Sequence, residues 1–312
     1  MSTRRRFPFV EYLARESFMS FPDFVSQEHL DWFKEYCQPL VPKPTSTTPV
    51  LPTLEGIRCV TFDIYGTLII SASGDIGSQS IDKAELMKEA FERVGLETKG
   101  LEGTDSTSLL TDHIKAHHEV RVAQGSLHPE VEIREVWADL CYEVGTEATP
   151  QQITDLAFVY ETLVNPVWSM PNLEYCLKSL QEQQLTLAIV SNAQFYTALL
   201  FEIFTGKSLD AWGFSTHRVW SFEHREAKPN ADLYRLLAQQ LQHHERLKPE
   251  QVLYVGNDMR NDIWPADQVG FRTALFAGDA RSLRLREEHP EASTITPTAT
   301  LTDLQQLPTL LT

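Results

Sequence analysis

Four short clusters along this chain of 312 residues combine the types needed for nucleophilic and electrostatic chemistry. In Phe62-Asp63-Ile64-Tyr65-Gly66-Thr67-Leu68, a carboxylate stands beside a glycine turn, with backbone N–H groups and the Thr67 hydroxyl in reach to orient an anion. Ser191-Asn192 precedes a predicted helix, where N–H groups form an anion nest. Lys228-Pro229 places a cation just before a helix predicted from near Asn230. Gly256-Asn257-Asp258-Met259-Arg260-Asn261-Asp262 carries two carboxylates, Asp258 and Asp262, whose D-x-x-x-D spacing can converge on one hard cation. Each cluster has an ordinary structural use on its own: an Asx turn, a helix cap, a solvated charge, an acidic first turn. Their order along one chain is hard to attribute to chance.

The elements that must position these residues read as alternating strand and helix. Ile57–Phe62, Leu185–Val190, Val252–Val255 and Arg272–Phe276 are short β-rich runs. Helical patterns lie near 172–183, 193–204, 230–242 and 262–268. Such alternation predicts a parallel sheet with helices on both faces, and ligands in such sheets sit at the carboxyl ends of the strands. The first three runs each end in a polar cluster. Residues from about 80 to 165 break the alternation with helix alone, as in Lys83–Arg93 and Glu130–Leu140, and read as an inserted helical domain.

Composition narrows the function classes. Apolar residues make up 42% and charged residues 22%, ordinary for a globular protein. A formal net charge of −16 opposes nucleic acid and anionic membrane as partners, yet allows a small anionic substrate at a locally positive site. No apolar run approaches the about 18 residues of a membrane span. The basic start Met1–Arg6 is not followed by an apolar stretch of secretory length, and Cys37, Cys59, Cys141 and Cys176 form no C-x-x-C pair. A reduced, cytoplasmic setting is expected. Before the first strand, residues 7–36 are crowded with Phe7, Phe9, Tyr12, Phe18, Phe21, Phe24, Trp32, Phe33 and Tyr36. Pro39, Pro42, Pro44, Pro49 and Pro52 follow as linker chemistry. An arm packed on the main domain is the expected use, with a homodimer contact as the alternative.

Over most of residues 57–280 the chain resembles the haloacid dehalogenase superfamily of hydrolases, through Asp63/Tyr65/Gly66/Thr67, Ser191-Asn192, Lys228-Pro229 and Gly256–Asp262. The resemblance implies an α/β fold: a Rossmann-like parallel sheet core, residues 56–78 and 168–312, with a helical cap, 79–167, inserted after the first strand. Residues 1–55, the arm and proline-rich linker, lie outside it. It implies that Asp63 attacks the substrate and forms an aspartyl-phosphate, or an ester in dehalogenases. Ser191, Thr67, Asn192 and backbone N–H groups would hold the transferring oxygens, and Lys228 would neutralise charge. Magnesium would sit on Asp63, the Tyr65 carbonyl, Asp258 and Asp262.

Two positions depart from the commonest pattern. Tyr65 stands where most phosphatases of the superfamily carry a second Asp as general acid and base, and Tyr there is a feature of its metal-independent haloacid dehalogenases. In the acidic loop a gapless alignment puts Asn257 where a metal-binding Asp is expected, and the spacing Asp258/Asp262 is preferred here for its convergence. The cap offers Arg121 as an anion grip, and His113 and His117 at i, i+4, a zinc-compatible spacing with no third ligand nearby and more often a solvated helix face. A magnesium-dependent phosphatase of a small phosphorylated metabolite is the favoured expectation. A 2-haloacid dehalogenase and a catalytically weak binding protein on the same fold are the alternatives.

Overall fold

Strand β1 (Cys59–Phe62) is buried along its whole length because two parallel neighbours flank it, β4 (Thr186–Ser191) and β6 (Val252–Gly256). The computed structural model describes residues 27–72, 83–103, 105–214 and 216–312. In it these strands belong to a six-stranded parallel sheet of order β5-β4-β1-β6-β7-β8, completed by β5 (Arg218–Trp220), β7 (Arg272–Phe276) and β8 (Ala299–Leu301). The strand period of two divides their side chains between two apolar layers. Val60, Phe62, Leu187, Ile189, Leu253 and Val255 pack into one, and Cys59, Ala188, Val190, Val252 and Tyr254 into the other. Near-continuous apolar strands are what a doubly covered parallel sheet requires. Edge strands β5 and β8 have three residues each, too few to leave a periodic trace in the sequence.

The chain leaves the sheet by β2 (Ile69–Ser71) and returns by β3 (Val167–Ser169), which pair as an antiparallel ribbon. Between them stand helices α2 (Lys83–Arg93), α3 (Ser106–Ala123), α4 (Ile133–Glu143) and α5 (Pro150–Val164). This block has its own apolar centre, with Trp137 edge-on to Phe91 and Tyr160 at 6.3 and 5.0 Å. Thr149 and Gln152 form a reciprocal capping box at the start of α5, with Pro150 at its first turn. After the ribbon come α6 (Leu173–Glu182), α7 (Thr197–Thr205), the single turn α8 (Ser221–His224), α9 (Ala231–Glu245) and α10 (Trp264–Gln268). Helix α7 begins four residues later than the sequence pattern suggests. The Asn192 Oδ1 accepts the Lys228 backbone N–H at 2.7 Å and the Ala193 N–H donates to Ser221 Oγ at 3.1 Å, so the loop after β4 stays out of the helix.

Within the aromatic segment, α1 (Gln27–Tyr36) packs on the chain itself. Phe33 stacks on Trp168 of the ribbon at 6.0 Å and meets Phe204 of α7 edge-on at 5.2 Å. His29 and Trp32 lie against Phe158 of α5, and Tyr36 donates to Glu89 of α2. Phe7, Phe9, Tyr12, Phe18, Phe21 and Phe24 lie outside the described residues. The proline-rich stretch expected as a linker is a pinned strap. Val50 exchanges two 2.9 Å backbone bonds with Thr300 on the outer strand β8. Leu54 N–H bonds Leu310, and Lys43 N–H bonds Asp279. Proline suits an edge-covering segment, since it needs no donor on the solvent side. None of the described helices is long and apolar enough to cross a membrane.

Phe33 is 2% exposed and joins three separate elements. Phe33→Ala is therefore expected to cost about 3–5 kcal/mol, the usual range for an emptied aromatic site. Urea unfolding of the two proteins measures this; a loss below about 1 kcal/mol would show that α1 merely rests on the surface.

Candidate active site

Sheet register brings the clusters together. Phe62 pairs with Ile189 on one side and Val255 on the other, so Asp63 emerges level with the ends of β4 and β6. Here strand order reverses about β1, the place where an open α/β sheet leaves a crevice. Asp63, only 6% exposed, accepts a 2.8 Å bond from Ser191 Oγ and a 2.7 Å bond from Lys228 Nζ, both on Oδ1. Ser191, expected either to cap a helix or to bind substrate, is fully buried and holds the nucleophile candidate instead.

Lys228 also donates to Asp262 Oδ1 at 2.6 Å. Burial opposes the ammonium charge, but Asp262 and Asp63 outweigh it and hold the Lys228 pKa well above its ordinary value. Asp262 is itself fully engaged. Tyr254 hydroxyl donates to Oδ1 at 3.2 Å and the Asp258 N–H to Oδ2 at 2.9 Å. Burial pushes the Asp262 carboxyl up while Lys228 pulls it back. Three bonds donated to Asp262, one of them from the ammonium, fix the lysine in place between two carboxylates.

The loop after β6 settles which residue faces where. Met259–Ile263 forms a π turn, with the Ile263 N–H reaching the Asp258 carbonyl at 3.2 Å. Such a turn accommodates one residue more than an α-turn. Asn257 then faces the loop after β1: its Oδ1 accepts from Thr67 Oγ1 at 3.2 Å and its Nδ2 donates to the Ser282 carbonyl at 2.6 Å. Gly66, at φ +84°, leaves room for it, since a Cβ there would lie 2.7 Å from Asn257 Nδ2. Gly256 serves Asp262 in the same way, with a notional Cβ only 2.5 Å from its side chain. Thr67, expected to bind substrate, is fully buried and positions Asn257.

Asp258 does not converge with Asp262 on one cation. It caps the turn through the N–H groups of Arg260 and Asn261, and Arg286 grips both its oxygens at 2.7–3.2 Å. Arg286, Arg284 and Ser282 come from the loop after β7 and line the Asp63 cavity of about 250 Å³ with Tyr65 and Asn192. Sequence reasoning stopped short of them. The signal was there in Arg281-Ser-Leu-Arg-Leu-Arg286, a basic run at the carboxyl end of a predicted strand.

The fit of magnesium can be tested on these donors. Asp63, Asp258 and Asp262 in the cavity wall meet Lys228, Arg284 and Arg286, so carboxylates and cations already balance. Among the described residues no group of three or more His, Cys, Asp or Glu side chains is arranged to hold a metal. The expected ligand pair is spent on Arg286 and Lys228, and the donor set does not fit a divalent cation in this arrangement. Zinc on α3 fares no better, because His113 turns to Glu143 at 3.3 Å and His117 to Asp139 at 2.9 Å. His113 is 5% exposed, so this is no solvated face.

Two further expectations change. Tyr65 lines the cavity, but its hydroxyl is bonded to Thr197 Oγ1 at 3.0 Å. Burial, with Glu161 nearby, holds its pKa well above the ordinary phenol value, which suits neither acid nor base work. Arg121 bonds Gln124 at 2.9 Å and lines a separate pocket on the helical block, away from Asp63. Asn192, expected to hold substrate oxygens, lines the cavity wall, and its Oδ1 accepts the Lys228 backbone N–H.

A Rossmann-like sheet thus brings an Asp, a Ser and a Lys together at its switch point. The family model for haloacid dehalogenase-like hydrolases matches residues 57–270, and the chain belongs to that family. No curated protein matches the sequence. Among solved structures, a predicted phosphoglycolate phosphatase from Haemophilus somnus 129pt aligns at 20% identity and TM-score 0.46, covering 82% of this chain and 98% of the other. L-2-haloacid dehalogenase from Xanthobacter autotrophicus aligns at 21% identity and TM-score 0.45, covering 81% and 98%. A 2-haloacid dehalogenase from Pseudomonas syringae pv. Tomato DC3000 gives 15% and 0.49, covering 81% and 97%. These likenesses bear on neither substrate nor cofactor.

If Arg286 occupies the cation's place, titration calorimetry should find no magnesium binding to the wild-type protein. Arg286→Gln releases the Asp258 carboxylate and should create a measurable site. Tight binding to the wild type, unchanged in the variant, would overturn the assignment.

Proposed function

We propose that this hydrolase cleaves a small phosphomonoester through covalent attack by Asp63. The observation that carries the reading is the distribution of charge around the cleft. On the sheet side, Lys228, Arg284 and Arg286 line the cavity. Arg284 is half-buried, its NH1 donating to the Arg281 and Leu283 carbonyls at 2.7 and 3.0 Å, and no carboxylate pairs with it among the described residues. On the helical side the lining includes Glu130 and Glu161 and no cation. A phosphoryl group on Asp63 meets positive charge, and a haloacid carboxylate lying toward the helical block meets no cation in that lining.

The chain's own residues account for the first step. Lys228 and Ser191 hold Asp63 Oδ1, which aims the other oxygen at the reacting centre. Lys228 offsets the charge that develops as the bond forms, and Asp262 keeps the ammonium from moving. Arg284 neutralises the phosphoryl oxygens. A metal-independent haloacid dehalogenase is the second reading, favoured by Tyr65 and by the lack of a fitting metal donor set.

Hydrolysis of para-nitrophenyl phosphate and of chloroacetate separates the two. The phosphate ester should turn over, Asp63→Asn should abolish turnover, and acid-quenched wild type should carry a phosphoryl mass on the Asp63 peptide. Halide release without phosphatase activity would establish the second reading. Removing Arg284, a charge-assisted contact worth about 1.5–3 kcal/mol, should raise KM for the ester on the order of tenfold to a hundredfold. An unchanged KM in Arg284→Ala would place the phosphoryl group elsewhere.

A further inference from the structure

A second chamber of about 320 Å³ opens beside the Asp63 cavity and shares Tyr65, Ser71 and Asn192 with it. Its remaining wall is Glu130, Glu161, Asn165, Ala193, Gln194 and Tyr196. The lining contains two carboxyl groups and no cation, and lies on the helical side of the nucleophile. That is the side on which a leaving group must sit if the phosphoryl group faces Lys228 and Arg284.

A poor leaving group needs a proton, and the ionisable groups of the two chambers can be taken in turn. Asp63 is the nucleophile. Asp258 and Asp262 are held by Arg286 and Lys228. Tyr65 is turned to Thr197. Glu130 has both oxygens engaged, Oε1 by the Val131 N–H and Oε2 by Ser221 Oγ, each at 2.9 Å. Glu161 remains. It is half-buried on α5, one turn before the ribbon, and Asn165 Nδ2 holds its Oε1 at 2.8 Å. Asn165 is itself fixed by Ser71 Oγ at 2.7 Å, so the carboxyl is tied to the chain segment that leads away from Asp63. Tyr196 hydroxyl bonds it from the sheet side. Tyr65 lines both chambers, Asp63 in the wall of one and Glu161 in the wall of the other.

We propose that Glu161 is the general acid and base of the reaction, acting from the second chamber on the leaving oxygen. The inference rests on the phosphomonoester reading. In the first step Asp63 bonds to phosphorus, the phosphorus–oxygen bond to the leaving group breaks, and that oxygen takes the Glu161 proton. In the second, water gives a proton to Glu161 and bonds to phosphorus. The Asp63–phosphorus bond breaks, releasing phosphate and restoring both carboxyl groups. Burial raises the Glu161 pKa despite the bonds from Asn165 and Tyr196, which keeps the acid form present to higher pH. The groups facing it are Tyr65, Tyr196 and Glu130, with Tyr160 on its own helix and Cys37 after α1.

The test compares ethyl phosphate, whose alkoxide must be protonated, with para-nitrophenyl phosphate, whose phenolate leaves unaided. Glu161→Gln should slow the first step on the ethyl ester by about 10²–10⁴-fold, while the aryl ester still releases a burst of one para-nitrophenolate per enzyme at nearly the wild-type rate before the slowed hydrolysis of the Asp63 intermediate. On the ethyl ester the wild-type rate should fall as pH rises through the Glu161 pKa, and that limb should vanish in the variant. Tyr196→Phe removes a bond that favours the carboxylate, so the limb should move to higher pH; this second variant serves if Glu161→Gln folds poorly. Equal losses in the first step on both esters, or no loss on the ethyl ester, would overturn the role of Glu161 while Asp63→Asn still reports on the phosphatase reading. A wild type that hydrolyses neither ester overturns both.

Discussion

Everything in the site depends on one buried ammonium. Lys228 Nζ sits 2.7 Å from Asp63 and 2.6 Å from Asp262, and both carboxylates are almost without solvent. Removing an ammonium from water costs several kcal/mol, recovered only when geometry and further hydrogen bonds are good. That requirement explains the surrounding detail. Tyr254 and the Asp258 N–H complete Asp262, Ser191 completes Asp63, and Asn192 fixes the Lys228 backbone. Gly256 is demanded by the closeness of Asp262, and β4, β1 and β6 must be in register for the three charged groups to meet.

The same economy of charge decides what the second carboxylate of the acidic loop does. Asp258 and Asp262 lie four residues apart, yet the π turn directs them to different cations. Arg286 reaches Asp258 because the loop after β7 is anchored from below. Asp279 and Arg281, both nearly buried, pair with each other and bond the strap at Lys43 and Val41. The proline-rich strap thus supports the loop that brings Arg284 and Arg286 to the cavity. A segment outside the family's own span is thereby coupled to the chemistry of the site.

Strands and their polar ends were legible from the sequence because local pattern sets them. Four apolar runs and their terminal Asp63, Ser191 and Gly256 needed no tertiary information, and neither did the Lys-Pro before α9. What the sequence withheld was direction. D-x-x-x-D spacing is compatible with convergence, and only the π turn separates the two carboxylates. Thr67 and Ser191 read as substrate ligands because hydroxyls near a strand end often are, but burial turns them to Asn257 and Asp63. Tyr65 was visible as a departure, whereas its bond to Thr197 spans 132 positions and no local signal encodes it. Glu161 shares its helix with one other acidic residue, Asp155, and is distinguished only by what the fold sets beside it.

The cap and sheet are stitched together along two seams, and this bears on how a two-body site can work at all. At the ribbon, Phe33, Trp168 and Phe204 bring α1, β3 and α7 into one aromatic contact. At the chamber, Gln194 bonds the backbone of Val131 and Ile133 while Ala227 bonds His128, one residue before Lys228. A general acid is effective only within hydrogen-bond reach of the proton's destination, and displacements near 1 Å can cost a hundredfold in rate. Glu161 and Asp63 lie on different bodies, so their separation is set by these seams and not by either body's own packing. Opening the cleft by rotation about the ribbon has to break aromatic contacts on one side and backbone hydrogen bonds on the other. These two seams together resist a swing of the helical block away from the sheet.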